Sequence, residues 1–214
     1  MAKKRRVSKK KISIAIIILL LIVCVGVGAY FFLNKHENTP KTVKIESVDT
    51  IEDYDYTLSS NATKYYKDLF KELKTLLESG DVDEAKYASL VAKLFVADFY
   101  NLDNKINKND IGGTQFVYKD FREDFEKLAT TSMYKSVENN LYNDRKQDLP
   151  VVANVSTDKK DNESFKYGDK TDDNAYKIDF EISYQEDLGY QTKGTLTLIH
   201  NDKKIEIAAL DNVE

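Results

Sequence analysis

The sequence has few of the residues that most enzyme active sites and metal centres use. Its 214 residues include one cysteine, two histidines, two prolines and no tryptophan. The cysteine, Cys24, lies in an apolar run, so the rest of the chain is expected to have no disulfide and no thiolate metal site. A His-Glu-x-x-His motif, a phosphate-binding glycine loop and a Gly-x-Ser-x-Gly elbow are also absent. The sequence therefore lacks the residues that nucleophilic catalysis by serine or cysteine with histidine requires.

The remaining polar clusters do not single out a site. Asp103, Asn107, Asn109 and Asp110 stand near two glycines as in a calcium loop, but Lys105 occupies a ligand position and no glutamate closes the loop. The acidic run 158–173 is interleaved with lysines, which is typical of a solvated loop. His36 and His200 are expected to be solvated and structural, respectively. We therefore predict no catalytic residue, metal ligand or cofactor, and no enzyme.

The charge is distributed unevenly along the chain. Residues 1–11 carry seven basic residues and no acidic one, whereas 25 basic and 36 acidic residues follow, a net charge of −11. Such an acidic surface repels phosphate backbones, which argues against nucleic acid as a partner. The abundance of Lys, Asn, Asp, Ile and Tyr is typical of low-GC bacteria with a single membrane.

Residues 12–33 form an uncharged run long enough to cross a bilayer as a helix, because 22 residues span about 33 Å at about 1.5 Å per residue. The basic tail on one side predicts a cytoplasmic N-terminus and an extracellular C-terminal domain, in a single-pass plasma-membrane protein. Two alternatives remain open. Val27-Gly28-Ala29 is an acceptable signal-peptide cleavage site, and Leu21-Ile22-Val23-Cys24 resembles a lipobox.

Helical periodicity follows a predicted stalk at residues 34–53. The first predicted helix begins near Asn61, with Ser59, Ser60 or Asn61 as its cap, and the second is capped by Asp81 or Asp83. The short link at Gly80 predicts a helical hairpin. A third helical stretch runs from about Tyr118 to Leu141, with a break at Thr130–Ser132.

After Pro150 the pattern changes to alternation, which predicts strands joined by short turns. Residues Tyr176–Tyr184 alternate most clearly. The other predicted strands are 151–155, 164–167, 191–200 and 204–210. The fold class is thus α+β, with a helical hairpin and a third helix packed on a curved antiparallel sheet of four to five strands.

The order of these elements, together with the segment Leu90–Tyr100, resembles the cystatin-like or nuclear-transport-factor-like cone on an N-terminal membrane anchor. It is similar to the inner-membrane assembly component of type IV secretion and to related proteins of Gram-positive conjugation. That resemblance covers about residues 60–210 and implies a non-enzymatic scaffold that associates with itself or with other envelope proteins.

The domain predicted at residues 54–214 is rich in aromatic residues that have two interpretations. They either fill the core between helices and sheet or line the mouth of a pocket that binds a small ligand or peptide. The candidate residues are Tyr66, Phe70, Tyr87, Phe95, Phe99 and Tyr100. Two functions stay open: an interaction module of a cell-envelope complex, and an anchored ligand-binding or peptide-binding domain.

Overall fold

The computed structural model describes residues 42–212, in which three α-helices pack on an antiparallel sheet. The helices are α1 (Lys64–Leu77), α2 (Glu84–Phe99) and α3 (Arg122–Thr131). The strands are β1 (Ser47–Ile51), β2 (Tyr56–Ser59), β3 (Val152–Lys159), β4 (Glu163–Tyr167), β5 (Lys170–Tyr184), β6 (Lys193–Asn201) and β7 (Lys204–Asn212). The predicted α+β class is confirmed.

The five-stranded sheet is organised around β5, which has 15 residues. The strand order is β3-β5-β6-β7, and β4 pairs with the first part of β5 on the same side as β3. Ile178 of β5 pairs with Leu196 of β6, which in turn pairs with Leu210 of β7. The alternation predicted for β5 is confirmed from Tyr176 onward, because Tyr176, Ile178, Phe180 and Ile182 are buried and Lys177, Asp179, Glu181 and Ser183 are more exposed.

The two helices of the hairpin begin at side-chain caps. Thr63 Oγ1 accepts a hydrogen bond from Tyr66 N at 3.1 Å and caps α1. The predicted caps at residues 59–61 were wrong, because the Ser60 hydroxyl accepts from Glu46 N instead and the Asn61 amide donates to Asn104 O. Asp83 caps α2, as one of the two predicted residues.

The third helix is shorter than predicted. It ends at Thr131, whereas the sequence pattern extended to Leu141. The Thr130 hydroxyl donates to Glu126 O at 2.8 Å and the Ser132 hydroxyl to Leu128 O at 2.7 Å. These bonds compete with continuation of the helix, so the predicted break at Thr130–Ser132 is where the helix ends.

The segment that the sequence assigns to the stalk, residues 34–53, includes a strand. Residues 47–51 form β1, which pairs with β2 in a separate two-stranded sheet. The predicted tail and membrane helix, with Cys24 and His36, lie outside the described residues. Within residues 42–212, no helix has both the length and the apolar character required to cross a membrane.

Two glycines with positive φ provide a matched test of packing. Gly113 (φ 74°) lies against α2, and a Cβ atom there would be 2.7 Å from the Phe95 ring and 3.1 Å from Phe95 O. Gly80 (φ 77°) has no atom within 4 Å of the same position. Both substitutions strain the backbone, but only one creates a steric clash.

We predict that Gly113→Ala lowers the free energy of unfolding by about 1–3 kcal/mol more than Gly80→Ala does, since overpacking adds to the backbone strain common to both. Urea denaturation of the purified residues 40–214, followed by circular dichroism, measures the difference. Equal losses in the two variants would contradict the close contact at Gly113.

Candidate binding cleft

The six aromatic residues singled out in the sequence are all buried. Tyr66, Phe70, Tyr87 and Phe95 pack in the main core, and the Tyr87 hydroxyl shares a 2.7 Å hydrogen bond with the Tyr56 hydroxyl. Phe99 and Tyr100 have a second role. At the end of α2 they also line a cleft that opens to the surface.

This cleft, called here the α3 cleft, has a volume of about 760 Å³. Its walls are α3, the segment after it, the loop between β5 and β6, and the end of β7. The side chains that line it are mostly apolar, and Asp124 is the one charged residue among them. The main lining residues are Phe99, Tyr100, Phe121, Asp124, Phe125, Leu128, Met133, Tyr190 and Leu210. Its volume falls in the range of small-molecule pockets.

Packed aromatic rings form the floor of the cleft. The Phe99 ring centroid lies 5.1 Å from that of Phe125 and 5.5 Å from that of Tyr134. The Tyr100 ring lies 5.7 Å from Phe180 of β5. Contacts at these distances fix the rings relative to one another, so the floor is preformed.

A polar network holds α3 at the end of α2. The Tyr134 hydroxyl is buried, donates to Phe99 O at 2.7 Å and accepts from Gly112 N at 3.0 Å. Burial raises the pKa of Tyr134 well above its ordinary value, so the phenol keeps the proton that it donates. Asp98 Oδ2 accepts from Gly113 N at 2.7 Å. The segment on each side of α3 is thereby attached to the same helix end.

The same Asp98 carboxylate forms an ion pair with Lys105, whose side chain is only 5% exposed. A buried ammonium group is costly unless it is paired, so this contact fixes the loop after α2. Lys105 is the residue that breaks the calcium-loop pattern in the sequence. In the structure, Asp110 Oδ2 accepts a hydrogen bond from Ile106 N at 2.9 Å. Asn107 Oδ1 accepts one from Asn109 N at 2.8 Å. These side-chain oxygens of the loop therefore bind backbone amides.

The opposite wall of the cleft is the loop between β5 and β6. The Tyr184 hydroxyl donates to Gln191 O at 2.8 Å, and Ile182 N donates to Thr192 O at 2.7 Å. These bonds close the loop and place Tyr190 on the cleft wall. At the rim, the Leu128 side chain is 67% exposed, the largest exposure among the large apolar residues of the described chain. An exposed leucine beside an apolar cleft is the feature that most suggests a binding surface.

His200, which the sequence analysis expects to be structural, is not among the residues that line the α3 cleft. His200 Nδ1 lies 2.9 Å from Asp172 Oδ2, and His200 N donates to the same oxygen at 2.7 Å. Burial opposes ionisation of Asp172, yet these bonds and one from Asn174 N lower its pKa below the ordinary value. His200 therefore joins β6 to β5. Across residues 42–212, no three His, Cys, Asp or Glu side chains are grouped so as to hold a metal ion.

The chain was compared with protein-family models, curated proteins and solved structures. None of them matches.

Sequence reasoning identified only part of the cleft. Phe99 and Tyr100 were candidates, and the third helix predicted at about Tyr118–Leu141 includes Phe121, Phe125, Leu128 and Met133. Tyr190 and Leu210 were missed as lining residues, since nothing in the local pattern indicates which strand end lies opposite α3. The Asp98–Lys105 pair was also missed, because both residues occur among many charges of each sign.

We predict that Lys105→Met lowers the free energy of unfolding by about 3 kcal/mol, because it leaves the Asp98 carboxylate without its cation. Lys127→Met is the control: Lys127 pairs with Glu123 at 2.7 Å on the exposed face of α3, so its replacement is expected to change the stability little. Urea denaturation of both variants measures the difference. A loss at Lys105 no larger than at Lys127 would contradict a stabilising role for the buried pair.

We also predict a pH-dependent contribution from Asp172. Because its pKa is lower in the folded state, it stabilises the fold above the ordinary carboxyl pKa, and this stability is lost as the pH falls through the folded-state value. Asp172→Asn should therefore cost about 1.5–3 kcal/mol at neutral pH. Below about pH 4 the difference from wild type should shrink.

Denaturation at a series of pH values measures this effect. Asp158→Asn serves as the control, since the Asp158 side chain is 73% exposed. A destabilisation by Asp172→Asn that stays constant from pH 7 to pH 3 would show that the carboxylate charge is not involved.

Proposed function

We propose that this chain is a single-pass plasma-membrane protein of a bacterial cell envelope, and that its extracytoplasmic domain is a non-enzymatic interaction module. The α3 cleft binds an apolar segment of another envelope protein. The observation that carries this proposal is the preformed aromatic floor with the exposed Leu128 at its rim. Apolar surface left in water at such a cleft is stabilised when a partner covers it.

The electrostatics support a protein partner over a nucleic acid. The chain beyond the predicted membrane helix has a net charge of −11, and Asp124 lies among the apolar lining residues. An acidic surface steers a basic partner toward the cleft and repels a phosphate backbone. The relation to the cystatin-like assembly component of secretion systems stays a prediction from the sequence.

The polar groups of the domain support a binding role over a catalytic one. The two oxygens of Asp98 are occupied by Lys105 and Gly113 N. Those of Asp172 on β5 are occupied by His200 and Asn174 N. Neither lies among the residues that line the α3 cleft. Asp124 is the one carboxylate among the lining residues, and the rest of the lining offers shape and apolar area to a partner.

A small apolar ligand is a second candidate, favoured by the cleft volume of about 760 Å³. Both functions use the same surface. They differ in whether a protein or a small molecule contacts Leu128 in the cell. A crosslinking experiment distinguishes the two by the mass of the adduct.

We predict that replacing Leu128 by the photocrosslinker p-benzoylphenylalanine in the full chain yields, on irradiation of living cells, a covalent adduct with one other membrane protein. The same replacement at Val48, which is 56% exposed on β1, should yield none. Mass spectrometry identifies the adduct. A small-molecule adduct at Leu128 would favour the ligand-binding alternative, an adduct with a second copy would favour self-association, and equal labelling at both positions would contradict the proposal.

A further inference from the structure

The edges of the five-stranded sheet differ in how their backbone groups are covered. At the β3 edge, Val152 N donates to Asn101 Oδ1 at 2.9 Å, and Val155 N donates to the Tyr65 hydroxyl at 2.9 Å. That hydroxyl also donates back to Val155 O at 3.3 Å. Side chains thus block this edge against a further strand. The β4 edge is five residues long and has no lining residue in the α3 cleft.

The β7 edge is covered in its first half only. Val117 pairs in parallel with Ile207, and Tyr118 N donates to Ile207 O at 2.9 Å. Beyond Ile207, no residue of the described chain pairs with Ala208–Asn212 on the side away from β6. The register of β7 against β6 shifts between Ile207 and Ala209, where the open segment begins. Along roughly 17 Å of strand edge, alternate residues therefore direct unpaired backbone groups away from β6.

This open edge is continuous with the α3 cleft. Leu210 lies in the middle of the open segment, pairs with Leu196 of β6, and lines the cleft opposite α3. A strand added beside β7 would direct every second side chain to the same face as Leu210. Those side chains would enter the space between β7 and the Phe121, Phe125 and Leu128 side chains.

We infer that the domain binds its partner by strand addition. An extended segment pairs with Ala208–Asn212 of β7 and places apolar side chains, at alternate positions, in the α3 cleft. Main-chain hydrogen bonds supply part of the affinity, and the cleft selects the side chains. This inference rests on the proposed function and specifies how the same cleft is used.

The charges at the site specify the ends of the segment. Asp124 lines the cleft. Asp211 follows Leu210 on the edge strand, on the opposite face of the sheet. The Lys127 ammonium on α3 pairs with Glu123 at 2.7 Å and lies 3.7 Å from Asp124, so acidic groups outnumber basic ones there. The segment is therefore expected to carry lysine or arginine beside its apolar positions, and its binding is expected to weaken with salt.

The test uses the full chain in lipid nanodiscs and a phage-displayed library of random heptapeptides. We expect selected peptides to alternate apolar and polar residues with a basic residue at one end. Leu128→Asp should lower their affinity about tenfold or more, and Val48→Asp should leave it unchanged. Hydrogen exchange should show that a bound peptide protects the amides of Ala208–Asn212.

Backbone methylation of the selected peptide is the sharpest control. In a strand, alternate N–H groups point to the neighbouring strand and the others point away. Methylating the set that faces β7 should lower the affinity about tenfold or more, through loss of those hydrogen bonds, whereas methylating the other set should have little effect.

The outcomes separate the two claims. Peptides that need Leu128 but tolerate both methylation patterns, or that protect α3 and not β7, would overturn strand addition while leaving the cleft as the binding surface. Protection of Ala208–Asn212 that rises with protein concentration alone would overturn it too, because a second copy would then occupy the edge. If the library yields no peptide whose binding depends on Leu128, both claims are overturned.

Discussion

The cleft depends on the contacts that the Asp98 carboxylate makes at the end of α2. One oxygen pairs with the buried Lys105 ammonium and the other accepts from Gly113 N, while the neighbouring Phe99 carbonyl accepts from the Tyr134 hydroxyl. A buried ammonium and a buried phenol each need their partner, so these bonds fix the chain both before and after α3. The helix is thus positioned by its two ends, and the space between α3 and β7 is not filled by core side chains.

The elements with strong periodicity could be predicted from the sequence, and the cleft only in part. Tyr176–Tyr184 alternates because one face of β5 meets the helices, and the α1–α2 hairpin follows from two apolar stripes joined by a short link. The cap at Thr63 was missed because Ser60 and Asn61 have tertiary partners that local sequence does not reveal. The placement of Leu128 and Leu210 in one cleft is likewise a tertiary property, because contacts of Lys105 and Tyr134 with the end of α2 position the chain around α3.

The open half of the β7 edge gives the cleft a role that apolar area alone would not. The Asn101 and Tyr65 side chains block β3, and residues 117–118 cover β7 as far as Ile207. Unpaired backbone groups therefore remain beside the α3 cleft, which Leu210 of β7 lines. Shape, backbone hydrogen-bonding capacity and negative charge meet at one surface, and the proposed strand addition uses all three.

Methionine labelling tests the central claim, that the partner occupies the α3 cleft, most directly. The chain has two methionines, Met1 and Met133, and Met133 lines the cleft. In the full chain in nanodiscs, labelled with ¹³C-methyl methionine, Met133→Leu assigns the cleft resonance. We predict that the segment captured at Leu128, added as a peptide, shifts the Met133 methyl resonance and leaves that of Met1 unchanged. A peptide that binds without moving the Met133 resonance would contradict the account.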